Sequence, residues 1–223
     1  HPLVWNKDTY TADAYLGAEL ALVEPVGIAR DRNLARLQIS PIRYNPARGS
    51  LIVCRQAVIT VRYNGTDSAA SMAIFERHHS PAFSMGSALN SLYPKNVRTA
   101  PPVRYLIVAH SSFRGQLDDF IAWKRRKGFL TDIVYTDDSV VGSNLTVSPF
   151  LHSLYDNATA SNPAPTYVLI VGDHEQIPAF TGTTSTSHIT DLPYMTWTSG
   201  DHIPDCYYGR FSAQNASQLT PQI

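Results

Sequence analysis

The residues with the clearest chemical potential are three aspartates. Asp201 and Asp205 stand four residues apart in Asp201-His202-Ile203-Pro204-Asp205-Cys206, just ahead of an apolar run. Asp173 ends another apolar run, Tyr167-Val168-Leu169-Ile170-Val171-Gly172-Asp173. Carboxylates on a loop before one strand and after another could converge on a hard cation. Calcium accepts carboxylate and carbonyl oxygens in flexible geometry. The same aspartates more commonly cap turns, since Asp bonds its own backbone in loops. His174 and His202 adjoin two of them, which leaves a zinc or iron site, and with it a zinc hydrolase, as a third reading.

The cysteines offer less. Cys54 and Cys206 are the only two, too few for a metal-ligand spacing or a disulfide framework, and both lie in apolar runs, as small buried hydrophobes do. No base or electropositive setting is apparent around Cys54, and His202 is close to Cys206 only along the chain. Neither is predicted to be a nucleophile. The Asn-x-Ser/Thr matches at Asn64, Asn144, Asn157 and Asn215 are short enough to arise by chance.

These residues need elements to position them. From Ala18 to about Tyr63 short β-type runs, Glu19–Val23, Leu34–Ile39, Leu51–Cys54 and Ala57–Val61, are separated by turn signals at Pro25-Val26-Gly27, Tyr44-Asn45-Pro46 and Asn64-Gly65. That punctuation predicts antiparallel β structure over residues 1–65. Residues 66–102, poor in alternation and rich in small, polar and proline residues, are predicted to be a linker exposing Lys95 and Arg98. From residue 103 to 223 the pattern becomes α/β. The strands Val103–Ala109, Leu130–Tyr135 and Tyr167–Val171 alternate with helices over Gln116–Lys127 and about Pro149–Tyr155, and Gly128 ends the first helix. Strand-helix-strand order predicts a parallel sheet, and Asp173 falls beyond a strand's carboxyl end, where such sheets bind ligands. The fold class is therefore α+β overall: an antiparallel β part, then an incomplete parallel-sheet α/β subdomain.

Composition narrows the function classes. The chain has 223 residues with 18 basic and 18 acidic side chains, so no charge excess points to nucleic acid. Lys124-Arg125-Arg126-Lys127 is the one basic cluster, at the predicted end of a helix, where cations complement exposed carbonyls. No apolar run is long enough to span a bilayer, and the first residues lack the order of a signal peptide, so any export signal is expected to have been removed. The abrupt first and last residues are those expected of a fragment of a longer protein.

Several blocks in order resemble the gingipain-type cysteine peptidase precursors: Val103–Ala109, Asp118–Lys124 with Lys127-Gly128, Tyr167–His174 with Ile177-Pro178, and Asp201–Phe211. Glu24-Pro25, Arg30-Asp31, Pro41–Pro46 and Leu51–Val53 resemble the end of the pro-domain of the same precursors. The resemblance implies a secreted or cell-surface bacterial endopeptidase with a caspase-like fold, a Cys/His dyad, calcium, and peptide or protein substrates. It implies calcium ligation by the side chains of Asp173, Asp201 and Asp205 and by the carbonyls of Thr198 and Ile203. The family's catalytic Cys and His match no residue here and lie beyond the Gly209-Arg210-Phe211 block, while the inhibitory part of the pro-domain lies upstream of His1. The chain is thus expected to join a pro-domain to the catalytic domain it partners, with maturation cleavage near Lys95 or Arg98. A sortase-like processing component of type IX secretion and a non-catalytic calcium-binding module are the alternatives.

Overall fold

A computed structural model describes residues 6–60, 62, 68–83, 102–182, 188–198 and 200–223. The chain divides into one unit of His1–Val26 with Leu34–Thr66, and a second of Gly27–Asn33 with Asp67–Ile223.

In the first unit a short helix α1, Lys7–Thr11, starts at Asn6, whose side chain accepts from the Thr9 amide at 3.2 Å. Strands β1, Ala21–Ala29, and β2, Arg32–Ile39, pair as a two-stranded sheet whose tip, Gly27–Asn33, belongs to the second unit. Only Arg30 and Asp31 join them, and so short a connection permits only an antiparallel hairpin. Strands β3, Ile42–Asn45, and β4, Ser50–Val53, pair antiparallel from Ile42 opposite Val53 to Asn45 opposite Ser50. The Asn45 side chain accepts from the Arg48 amide at 3.0 Å and fixes the turn between them. Two turns thus lie elsewhere than the sequence indicated. Pro25-Val26-Gly27 is inside β1, and Tyr44 and Asn45 end a strand. Ala57–Thr60, read as strand, has no regular structure, since a β-favouring run becomes a strand only where an edge is available to pair with.

In the second unit residues 68–78, placed by the sequence in the linker, form helix α2, Ser68–His78. Ala69, Ala70 and Ala73 are among that region's small residues, yet Ala is the strongest helix former. The predicted sheet follows: β5, Arg104–Ala109; helix α3, Asp118–Arg126; β6, Leu130–Tyr135; helix α4, Val147–Asp156; and β7, Tyr167–Val171. A small antiparallel pair, β8 (Phe180–Thr181) and β9 (Ile189–Thr190), leads to β10, Tyr207–Phe211, and the final helix α5, Ala216–Leu219. The main sheet has the order β10-β7-β5-β6 and all its pairs are parallel.

Its two central strands, β5 and β7, are buried on both faces, while the edge strand β10 is largely exposed. Leu106, Val108, Val168 and Ile170 point into a core with Val147, Leu151, Met195 and Trp197. Their neighbours Ile107, Ala109, Leu169 and Val171 point oppositely, onto Phe113, Leu117, Phe120 and Leu219. The basic cluster finishes α3: the Lys124 ammonium lies 4.4 Å from the Tyr105 ring centre, and Gly128, at φ +90°, closes the helix.

Candidate functional site

The chain makes β5, then β6 on one side of it, then β7 on the other. This reversal of strand order opens a crevice beyond the carboxyl ends of β5 and β7. Asp173 stands there, as the sequence predicted. Its carboxylate accepts from Ser212 Oγ at 2.8 Å, from the His174 amide at 2.9 Å and from Gln214 Nε2 at 2.9 Å. These donors, Ser212 first, hold it well below the ordinary carboxylate range. Beside it Arg210 grips Asp191 with two bonds of 2.8 and 2.7 Å and donates to the Gly172 and Ile177 carbonyls. Asp173, Asp191, Arg210 and Ser212 line a cavity of about 130 Å³. Because Arg210 is committed to Asp191 and to carbonyls, its role is to tie β10 to the end of β7.

The opposite, amino ends of β7 and β10 hold a buried polar cluster. Asp205, 0% exposed, stands two residues before β10. One of its oxygens accepts from the Arg30 amide at 2.6 Å, and the other from the amides of Trp197 at 2.6 Å and Thr198 at 3.0 Å. Burial pushes its carboxyl upward, and those amides pull the other way. Asp201 accepts from the Ile28 amide at 2.7 Å and from the Ile203 amide at 2.9 Å. The two loop aspartates therefore take alternate amides, Ile28 and Arg30, from one edge of the hairpin tip. Gly27, at φ +153°, allows the approach, since a Cβ there would lie 2.7 Å from an Asp201 oxygen.

Arg30 completes the cluster. It is 1% exposed, and its φ of +58° is the left-handed conformation that a hairpin turn usually assigns to glycine. Its guanidinium donates to the carbonyls of Pro165 at 2.8 Å, Ala164 at 2.9 Å, Asp205 at 3.3 Å and, through Nε, His78. Its own carbonyl accepts from the Tyr155 hydroxyl at 2.7 Å. Around it His78 stacks on Tyr155 with ring centres 4.1 Å apart, and Ser80 bonds Thr166 through their hydroxyls at 2.8 Å.

The sequence-derived ligands thus divide between the two ends of the sheet, Asp173 at the carboxyl end and Asp201, Thr198, Ile203 and Asp205 at the amino end. Among the described residues no three His, Cys, Asp or Glu side chains form a group able to hold a metal ion. With Arg30 seated, both oxygens of Asp205 accept from N–H groups, so a cation here would share them with those donors. Lys95 and Arg98 lie outside the described residues. Cys206 is buried against Met195, with Sγ 3.5 Å from its sulfur, and burial pushes its thiol well above the ordinary range, which excludes a ready thiolate. The cluster around Arg30 was not predicted. Its signal was an Arg-Asp pair between two β-type runs where turn chemistry favours Gly or Asn.

Residues 98–223 match the model of peptidase family C25, and residues 1–83 match that of its propeptide, Propeptide_C25. The chain belongs to peptidase family C25. The C25 chain is 33% identical to Lys-gingipain of Porphyromonas gingivalis over 98% of its own length and 13% of that protein's. Among solved structures it resembles the Arg specific cysteine proteinase gingipain R (RgpB), with 27% identity, 55% of this chain and 27% of that one covered, and a TM-score of 0.46. It also resembles a complex of the Porphyromonas gingivalis RgpB pro- and mature domains, with 26% identity, 53% and 27% covered, and a TM-score of 0.46. The C25 chain therefore spans a minor part of the relatives it matches.

The family boundaries give the buried cluster its meaning. Ile28, Arg30, His78 and Ser80 belong to the propeptide match; Tyr155, Ala164, Pro165, Thr166, Asp201 and Asp205 belong to the peptidase match. Phe83, at the end of the propeptide match, packs on Tyr207 of β10 with ring centres 5.1 Å apart.

Proposed function

We propose that this chain is the junction of an exported bacterial cysteine endopeptidase precursor, in which the end of the pro-segment is seated on the first part of the peptidase domain. The observation that carries it is Arg30, from the propeptide match, buried among carbonyls of the peptidase match. The complete enzyme cleaves peptide bonds through a thiolate and a histidine supplied by sequence outside these residues. What this part supplies is the sheet, the strand-end crevice and the seat of the pro-segment.

Maturation on this reading cuts between the two matches, in residues 84–97 or at their edge, where Lys95 and Arg98 stand. On the same reading calcium enters after the hairpin leaves, when an Asp205 oxygen no longer serves the Arg30 amide.

The test is hydrolysis of a mixed peptide library by the full-length protein, with and without a thiol-directed inhibitor. Inhibitor-sensitive hydrolysis that persists in the Cys54→Ser and Cys206→Ser variants is expected. Hydrolysis indifferent to the inhibitor, or no hydrolysis after removal of the pro-segment, would overturn the reading.

A further inference from the structure

We propose that the amino ends of β7 and β10 form a guanidinium receptor, whose ligand is an arginine side chain presented on a β-turn, with Arg30 as its occupant in the precursor. This rests on the division into pro-segment and peptidase parts proposed above. The acceptors are main-chain carbonyls: Pro165 and Asp205 face Nη1, Ala164 faces Nη2 and His78 faces Nε. They surround a planar fork of donors, a geometry that guanidinium fills and a compact ammonium does not.

The receptor is preformed by the sheet. Thr166 beside it donates to the Arg104 carbonyl at 2.9 Å and accepts from the Tyr207 amide at 2.9 Å, and the Asp205 amide donates to Met195 at 2.8 Å. These bonds lie outside the hairpin and persist when it lifts. The His78 carbonyl would then depart with the pro-segment, leaving those of Ala164, Pro165 and Asp205 on the peptidase part. Buried acceptors stripped of donors are costly, so the vacated site favours a new donor of the same shape.

The ligand side carries its own mark. A non-glycine residue at φ +58° is strained, and a turn selected only for backbone shape would place Gly there. The side chain is what requires arginine. The occupant in trans is then the released pro-segment itself, whose hairpin presents Arg30 between the amides that meet Asp201 and Asp205.

The test uses the full-length precursor nicked between residues 84 and 97 by limited proteolysis, so that it does not depend on the protein's own activity. Retention of the pro-segment is followed by native mass spectrometry during titration with N-propylguanidinium or, at equal ionic strength, propylammonium. Selective release by the guanidinium, several-fold above the ammonium, is expected. In a second arm the unnicked Arg30→Ala precursor should melt at a temperature that rises saturably with N-propylguanidinium and not with propylammonium, as binding to a cavity in the native state requires. A guanidinium-selective response in either arm supports the receptor, and equal responses to the two cations in both arms overturn it. Failure of the endopeptidase reading would appear elsewhere, as absence of thiol-dependent hydrolysis.

Discussion

Arg30 and Asp205, 175 residues apart, are bonded twice: the Arg30 amide donates to the Asp205 carboxylate at 2.6 Å, and its guanidinium donates to the Asp205 carbonyl at 3.3 Å. One residue thus satisfies both the side chain and the main chain of the other. The carboxylate is in turn the acceptor that orders Trp197 and Thr198, so the loop before β10 and the hairpin tip share one buried anion.

Replacing Asp205 by Asn tests that sharing. An amide side chain has one acceptor oxygen and turns an NH2 group toward the amide of Arg30 or those of Trp197 and Thr198. A buried donor facing donors costs about 1–3 kcal/mol, more where charge is lost. Urea unfolding of the precursor should show a lower midpoint by that amount, whereas Asp173→Asn, at a more exposed position, should cost less.

Gly27→Ala probes the approach of the hairpin to Asp201. The added methyl group would meet the Asp201 carboxyl at 2.7 to 2.9 Å, at a φ that side chains rarely adopt. A drop in stability of about 1–3 kcal/mol is expected. Gly49→Ala, where a Cβ has open space, should cost less, the penalty there coming from its φ of +59° alone.

His78 makes the seat acid-sensitive. Burial, then the charges of Arg77 and Arg30, push its pKa from 6.5 down to about 4, against the opposing pull of Asp31 and Asp156. Its Nδ1 has no hydrogen-bond partner. The unfolded chain binds this proton more readily than the folded one, so stability falls as pH drops from about 6.5 towards 4, by on the order of 3 kcal/mol in all. Chemical unfolding at a series of pH values should show this slope, and His78→Phe, which retains a ring against Tyr155, should flatten it.

Chelation should have a stage-dependent effect. While Arg30 is seated, EDTA should leave amide exchange at Trp197 and Thr198 unchanged, because their acceptor is the Asp205 carboxylate itself. Faster exchange of these amides in the intact precursor after chelation would place a cation at this loop.

The parallel sheet was legible because its signals are local. Continuous apolar runs at Val103–Ala109 and Tyr167–Val171, and an amphipathic stretch ended by Gly128, define their elements without reference to the rest of the chain. Asp173 was legible for the same reason, as the residue just past a strand. The hairpin was harder: Pro25 and Gly27 signal a turn locally, but Gly27 serves the approach to Asp201, and the turn is made by Arg30, whose strain is offset by carbonyls more than a hundred residues away. Asp201 and Asp205 were recognised as acceptors; whether they would face a cation or backbone amides depends on a partner that spacing does not encode.

The central claim is that the hairpin tip and the loop before β10 are one cooperative unit across the boundary between pro-segment and peptidase. Native-state hydrogen exchange of the full-length precursor, at increasing sub-denaturing urea, measures this at the amides of Ile28, Arg30, Trp197 and Thr198. A single shared opening free energy, with the same urea dependence at all of them, is predicted. Rapid exchange at Ile28 and Arg30 with Trp197 and Thr198 still protected would contradict it.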